Sequence, residues 1–300
     1  VRFWLGLTGV VEYEQLPKLA AHAEACGFHG VHFADHLVMP ARIESAYPYS
    51  PDGKFLWPTD APWPDTWITL AMIGAATSRI QLATNVYLAG LRDPFTVART
   101  IATVSVFTGG RVVLGTAAGW IREEFEAVGI DFASRGRRLD EVLRVVRKLW
   151  TGEPVSHDGE FFRFDAAIVQ PRPVVPVPIW TGGTAKPALR RAAANDGWLG
   201  VPLMLDGNVE IVGRIKALRH EMGLPEAGFS PCIALTQRLD ADVVATLHDA
   251  GIRDMSAMPW MSRPWDIRPY VDAGADIRSF EVRATAISRY AETVIANYGD

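Results

Sequence analysis

Short apolar runs alternate along this chain with longer segments whose apolar residues recur at intervals of three and four, a pattern that predicts strands and amphipathic helices in succession. The first run, Phe3 to Thr8, precedes Tyr13 to Cys26, where Leu16, Leu19, Ala20, Ala23 and Cys26 share one helical face and Gly27 ends the helix. A second strand is expected at Gly30 to Ala34. After a long loop come a helix at Trp67 to Ala76, a strand at Ile80 to Tyr87, a helix at Phe95 to Phe107 and a strand at Val112 to Thr116. Next are a helix at Arg137 to Trp150, a strand at Val177 to Thr181, a helix at Ala185 to Asn195, a strand at Gly197 to Val201 and a helix at Val209 to Glu221. The last quarter repeats the rhythm more weakly, with strands at Cys232 to Thr236 and Ile252 to Met258 and helices at Ala241 to Ala250 and Ala284 to Asn297.

These eight strands and eight helices, nearly every helix one crossover long, fit an α/β fold closed as a parallel (β/α)₈ TIM barrel better than an open doubly wound sheet. Barrels of this kind routinely reach 300 residues, so the chain is expected to be one domain, 1–300. Two insertions interrupt the rhythm, Val38 to Asp65 and Thr151 to Pro173. The first holds six prolines, two tyrosines and two tryptophans, a composition that makes a stiff aromatic loop. It follows the C-terminal end of a strand, and so is expected to hang over the barrel mouth as part of a substrate site or its lid.

Bulk properties narrow the function. An apolar fraction of 49% supplies a large core, and a net charge of −4 gives no bias toward nucleic acid. Cys26 and Cys232 stand far apart, outside any metal or redox spacing, so no metal is expected and the reading is two reduced thiols of a cytoplasmic protein. Val1 to Thr8 is too short to span a membrane, and no cleavage signal follows it. The chain lacks an initiator Met, so a few N-terminal residues are expected to be missing.

In such a barrel chemistry sits where strands finish, which fixes the residues to inspect. The second strand ends in Asp35-His36, the third in Thr84-Asn85-Val86-Tyr87, the fourth in Gly115-Thr116-Ala117-Ala118-Gly119-Trp120 and the fifth in Gly182-Gly183-Thr184. Gly182-Gly183-Thr184 opens a helix and reads either as a phosphate cradle or as an ordinary turn. His36 could relay a proton or be a hydrogen-bonded structural residue, and Asp35 could orient it or cap the loop. The other histidines, His32 among them, read as structural. Tyr47, Tyr49, Trp57, Trp63 and Trp260 could wall an apolar substrate site, with Tyr87 at a strand end beside them, or serve the loop's own small core. No nucleophile elbow, HExxH, Walker loop or dinucleotide fingerprint appears, which removes most support for a hydrolase or a nicotinamide-dependent dehydrogenase.

Seven segments in order carry a resemblance: Phe33-Ala34-Asp35-His36-Leu37, Ser78 to Val86, Leu91 to Phe95, Thr108 to Gly115, Gly119-Trp120 with Glu123-Glu124-Phe125, Pro178 to Gly183, and Asp196-Gly197-Trp198. Together they resemble the bacterial luciferase-like monooxygenase superfamily, specifically its deazaflavin-using actinobacterial branch, over roughly residues 1 to 220. The resemblance implies a cofactor ring in the barrel mouth, against a bulge made by a non-prolyl cis peptide at Asn85-Val86. It implies that Asp35 and His36 lie near the ring, that Thr84 and Gly115 to Trp120 line it, and that Gly182, Gly183 and Thr184 take the cofactor phosphate. The cofactor implied is coenzyme F420, an 8-hydroxy-5-deazaflavin, with FMN the alternative, in a homodimer.

The sugar-phosphate dehydrogenase branch carries a Glu proton donor where this chain has Ala118, which disfavours that substrate. Three functions follow in order: hydride transfer between F420 and an alcohol, ketone or activated alkene, with His36 supplying the proton; an FMN-dependent monooxygenase; and a cofactor-binding protein without turnover.

Overall fold

Glycines at the ends of several barrel strands let large side chains fill the interior. The computed structural model describes residues 1–50, 52–55, 57–261 and 270–300. The strands are β1 (Arg2–Gly6), β2 (Gly30–Phe33), β3 (Gln81–Thr84), β4 (Val112–Thr116), β5 (Val155–Asp158), β6 (Arg163–Ala167), β7 (Ile179–Gly182), β8 (Gly197–Leu203), β9 (Ser230–Leu235) and β10 (Asp254–Ala257). The helices are α1 (Leu16–Ala25), α2 (Thr66–Ala76), α3 (Pro94–Phe107), α4 (Arg122–Ala127), α5 (Arg135–Leu149), α6 (Lys186–Ala193), α7 (Leu205–Glu221), α8 (Ala241–Asp249) and α9 (Phe280–Tyr290). Eight strands close a parallel barrel in the order β1-β10-β9-β8-β7-β4-β3-β2, and β5 with β6 forms a separate antiparallel hairpin. The barrel expected from the alternation is therefore present, with the two insertions lying where the rhythm breaks.

Side chains alternate across each strand, giving two cores. Phe3, Leu5, Val31, Phe33, Leu82, Leu114, Ile179 and Ile233 face outward into one continuous layer with helix residues such as Leu19, Leu70, Ile101 and Val146. Trp4, Ala83, Val113, Trp180, Leu199 and Cys232 face inward. The rings of Trp4 and Trp180 meet edge-on at 5.1 Å between centroids. Each lies over a glycine at the start of a neighbouring strand: a β-carbon at Gly30 would come within 2.2 Å of Trp4, and one at Gly197 within 2.3 Å of Trp180. Trp4 Nε1 donates to Asp254 Oδ1 at 2.8 Å, and Arg2 donates to Asp254 Oδ2 at 2.5 Å. Two tryptophans and an ion pair thus plug the N-terminal half of the barrel, and burying each ring contributes about 4 to 6 kcal/mol of transfer free energy. Any ligand must enter from the C-terminal side.

Several boundaries depart from the sequence reading. The third strand stops at Thr84, where the Asn85-Val86 peptide is cis, and pairing resumes only as a single bridge between Tyr87 and Thr116. The last long helix starts at Phe280 instead of Ala284, and β8 runs on to Leu203. The short helix α4 and the β5–β6 hairpin were not expected, because six- and four-residue elements leave too few repeats for periodicity to register. No helix among the described residues is long and apolar enough to cross a membrane.

Candidate active site

The chain leaving β2 reaches Asp35 first, and its carboxylate is turned away from the mouth. Asp35 is 4% exposed; Oδ2 accepts from Arg92 Nη1 at 2.7 Å and from the Leu88 amide at 3.0 Å, and Oδ1 accepts from Arg92 Nη2 at 2.9 Å. Arg92 lies 4.2 Å over the Tyr87 ring, which packs edge-on to Trp67 of α2. This corrects two expectations. Asp35 neither orients His36 nor faces a ligand; it ties the end of β2 to the segment after β3. Tyr87, only 2% exposed, belongs to the layer outside the barrel wall and not to a substrate wall, and Trp260, equally buried, also sits in that outer core.

The bulge after β3 is locked by hydrogen bonds across to β4. Thr84 Oγ1 donates to the Gly115 carbonyl at 2.6 Å and accepts from the Gly115 amide at 2.9 Å, while Tyr87 N also donates to the Gly115 carbonyl. Thr116 Oγ1 donates to the Tyr87 carbonyl at 2.6 Å. A β-carbon at Gly115 would lie 1.8 Å from the Thr84 oxygen, so only glycine admits this approach. Thr84 and Thr116 therefore act within the wall, and their side chains are not available to line a ring. Val86 turns inward and joins the interior cluster. A β-carbon at Gly182 would meet Val86 at 3.5 Å and Ala117 at 3.7 Å, ordinary contacts at a position without positive φ. Gly182 thus leaves space, and with Val86 and Ala117 it forms a recessed patch at the end of β7 and just beyond β3 and β4. Gly183, at φ 107°, turns the chain toward Thr184 and the start of α6, and its carbonyl accepts from Trp198 Nε1.

His36 finds its acid on α4. Its Nδ1 lies 3.1 Å from Glu124 Oε2, and the two side chains are 9% and 1% exposed. Glu124 Oε1 accepts from the Leu37 amide at 2.7 Å. The Nε2 of His36 has no partner among the described residues, which leaves it as the atom able to exchange a proton. The neighbouring Glu123 accepts from the amides of Glu44 (2.7 Å) and Ser45 (3.0 Å) and from the Ser45 hydroxyl (2.8 Å). Partial burial acts to raise the Glu123 pKa, but these donors outweigh it and hold the carboxyl below its ordinary value. The strand ends offered His36 no acid other than Asp35. Glu124 stands in the quoted Glu123-Glu124-Phe125 segment, but it reaches the mouth only because α4 folds back beneath the lid, a tertiary fact with no local signature.

The lid is an aromatic stack built on that base. Trp63 packs edge-on to His36 at 4.7 Å, Phe55 lies against His36, Tyr47, Trp57, Trp63 and Trp120, and Tyr47 touches Tyr49 and Trp120. Burial pushes the Tyr47 phenol up to about 12, with Tyr49 adding to the effect. Trp57 reaches Gly9, where a β-carbon would come within 2.6 Å of its Nε1. Tyr47, Tyr49, Trp57 and Trp120 are therefore assembled as one group, with Phe55 a member the sequence reading did not name.

One interior histidine read as structural also belongs here. His32 points into the barrel from β2, and its Nε2 lies 2.7 Å from Ser256 Oγ on β10. Burial lowers its pKa to about 4. Gly6 lies between them on β1, and a β-carbon there would come within 3.0 Å of His32 Cε1 and 2.7 Å of Met258 Cγ. Cys232 lies deeper in the interior, and burial raises its thiol well above the usual range, so it is no nucleophile. Among the described residues no group of three His, Cys, Asp or Glu side chains is arranged to hold a metal ion.

This mouth can be compared with known proteins. The family described as luciferase-like monooxygenase matches residues 3–280. An uncharacterized protein of Mycobacterium tuberculosis is 33% identical over 281 residues, covering 93% of each chain. An F420-dependent glucose-6-phosphate dehydrogenase of Nakamurella multipartita is 32% identical over 217 residues, covering 70% of this chain and 56% of that protein. Among solved structures, the coenzyme F420-dependent tetrahydromethanopterin reductase of Methanopyrus kandleri superposes with a TM-score of 0.73 over 99% of both chains at 16% identity, a likeness of fold. With a closed parallel barrel and a match over nearly its whole length, the chain belongs to the luciferase-like monooxygenase family.

Proposed function

We propose that the protein is a coenzyme F420-dependent oxidoreductase that moves a hydride between the deazaflavin ring and a largely apolar organic substrate. The observation that carries this reading is the buried His36–Glu124 pair beside a recessed wall of Val86, Ala117 and Gly182, under an aromatic lid. The wall fits a flat ring: Gly182 leaves room without being required by clash or by φ, and the Trp4–Trp180 plug sets a floor. Val86 and Asn85 would support the ring, Gly115 to Trp120 would border it, and Gly182, Gly183 and Thr184 would receive its phosphate at the start of α6. When bound, the deazaflavin supplies a carbon centre that gives or takes a hydride and activates oxygen poorly.

The chain's own contribution is the proton and the dry enclosure. Glu124, accepting from Nδ1–H, fixes the tautomer that leaves Nε2 bare, so His36 can take a hydroxyl proton when an alcohol is oxidised and return it when a ketone is reduced. Phe55, Trp63 and Trp120 exclude water and bury apolar surface, which favours a substrate without charge. Ala118 offers no carboxylate at the position where the sugar-phosphate branch has Glu, so a sugar phosphate is not the substrate we propose. We also place the protein in the cytoplasm as a homodimer: Cys26 and Cys232 are free thiols, and α2 exposes Ile68 and Met72 on its outer face.

Fluorescence titration of the purified protein with F420 and with FMN tests the assignment. Tighter binding of F420, followed by its reduction when an apolar secondary alcohol is added, is expected. Tighter FMN binding with oxygen consumed on reduction would replace this reading by a monooxygenase. Bound F420 that exchanges hydride with no donor or acceptor would leave a binding protein without turnover.

A further inference from the structure

We propose that Ser256, backed by His32, is a fixed hydrogen-bond donor in the barrel mouth that recognises a carbonyl or anionic oxygen of the bound ligand. The inference rests on the cofactor reading above for what occupies the mouth, and on four observations of its own. Ser256 lies level with Trp4 in the β1–β10 register and two residues beyond Asp254, which bonds to Trp4 inside the barrel, so its side chain faces the same interior. It is the last residue but one of β10, and so lies near the C-terminal end of that strand. His32 reaches it across Gly6, the one residue on β1 small enough to let the imidazole pass. Ser256 is a partly exposed residue, whereas His32 behind it is buried.

Proton accounting then fixes the direction of the bond. His32 Nδ1 is buried and has no hydrogen-bond partner. A buried N–H without an acceptor is rarer and more costly than a buried lone pair without a donor, so the imidazole proton belongs on Nε2. With Nε2–H donating to Ser256 Oγ at 2.7 Å, the serine's oxygen is occupied as an acceptor and its own hydrogen has no partner among the described residues. That hydrogen points to an acceptor on the ligand. Because burial holds His32 neutral until the pH falls to about 4, the arrangement persists throughout the neutral range. The opposite wall, made by Val86, Ala117 and Gly182, has no side-chain donor, so the mouth has one polar and one apolar side, and the donor sets which edge of a ring or which end of a substrate faces β10.

The test uses Ser256→Ala and Ser256→Thr in the full chain, with F420 as the binding probe and cyclohexanone with reduced F420 as the substrate probe. Ser256→Ala is expected to lose about tenfold, the worth of one hydrogen bond, while Ser256→Thr, which keeps the hydroxyl, recovers most of it. A weaker F420 Kd assigns the acceptor to the cofactor; an unchanged Kd with a raised KM assigns it to the substrate. In the first case the infrared carbonyl stretch of bound F420 moves to higher frequency in Ser256→Ala, and the loss is the same at pH 6 and pH 8. His32→Phe should reproduce the loss if it folds, since the serine then no longer has its acceptor lone pair engaged. Equal Kd, KM and carbonyl frequency in wild type and Ser256→Ala would overturn this inference alone. Failure of the wild type to bind either F420 or FMN would overturn the cofactor reading, and this inference with it.

Discussion

Replacing Glu124 by Gln keeps the shape of the side chain and reverses one hydrogen bond. The carboxylate now accepts from His36 Nδ1 at 3.1 Å while its other oxygen holds the Leu37 amide at 2.7 Å. In Glu124→Gln the amide oxygen stays with Leu37, so the NH₂ group faces Nδ1, which must then be an acceptor. The imidazole proton moves to Nε2, and the atom that should take the substrate proton is already occupied. The carboxylate's charge also disappears from beside the imidazolium that forms during the reaction. With both side chains nearly excluded from water, that charge-assisted bond is worth about 1.5 to 3 kcal/mol, or roughly 10- to 150-fold in rate. The assay is stopped-flow reduction of bound F420 by an apolar secondary alcohol, with Kd measured separately by fluorescence. The turnover rate should fall by that factor with Kd within about twofold, unfolding free energy should change by no more than about 1 kcal/mol, and His36→Ala combined with Glu124→Gln should lose no more than His36→Ala alone. If Glu124→Gln turns over at the wild-type rate while His36→Ala does not, the pair only braces the lid. If His36→Ala is also unaffected, His36 carries no proton.

Two further outcomes concern stability. Arg92→Met strands the buried Asp35 carboxylate and should lower unfolding free energy by about 3 to 5 kcal/mol in urea titrations, with Asp35→Asn in the same chain restoring part of it; a loss below about 1 kcal/mol would refute the role given to this pair. Glu24 is pulled upward by burial, but the amides of Arg79, Ile80 and Ser78 and the Ser78 hydroxyl prevail and hold it at about 2, below its ordinary 4.5. Because the folded pKa is depressed, its contribution is full above pH 4.5 and is lost as the pH falls toward 2, so Glu24→Gln should flatten the acid limb of stability in that window; an unchanged limb by circular dichroism would refute it.

The barrel was legible because its signal is repeated: each strand and helix lent weight to the next, and the strand-end rule then singled out His36, Val86, Ala117 and Gly182, the residues on which the proposed site rests. The rule placed residues at the mouth but could not say which way they turn. Asp35, Thr84 and Thr116 sit at the right height and face the wall, where Arg92, Gly115 and Tyr87 hold them. Glu124 and Ser256 were silent for the opposite reason. Their importance comes from a partner about ninety or more than two hundred residues away, and no local pattern encodes such a meeting. His32 was discounted as one histidine among several, because its orphaned Nδ1 is visible only once the interior is built.

Glu123 and Glu124 stand side by side on the six-residue α4, one holding the amides of 44 and 45 and the other holding His36 and Leu37. The consequence is a division of labour along the lid. The chain at 37–38 and 44–45 is moored to the same helix as His36, whereas no described residue from Tyr47 to Trp63 hydrogen-bonds to α4. Substitutions in that stretch that leave Phe55 and Trp63 against His36 can reshape the entrance and change which molecules are admitted without moving the histidine. New substrates could therefore be accommodated by rewriting the overhang while the chemistry beneath it stays as it is.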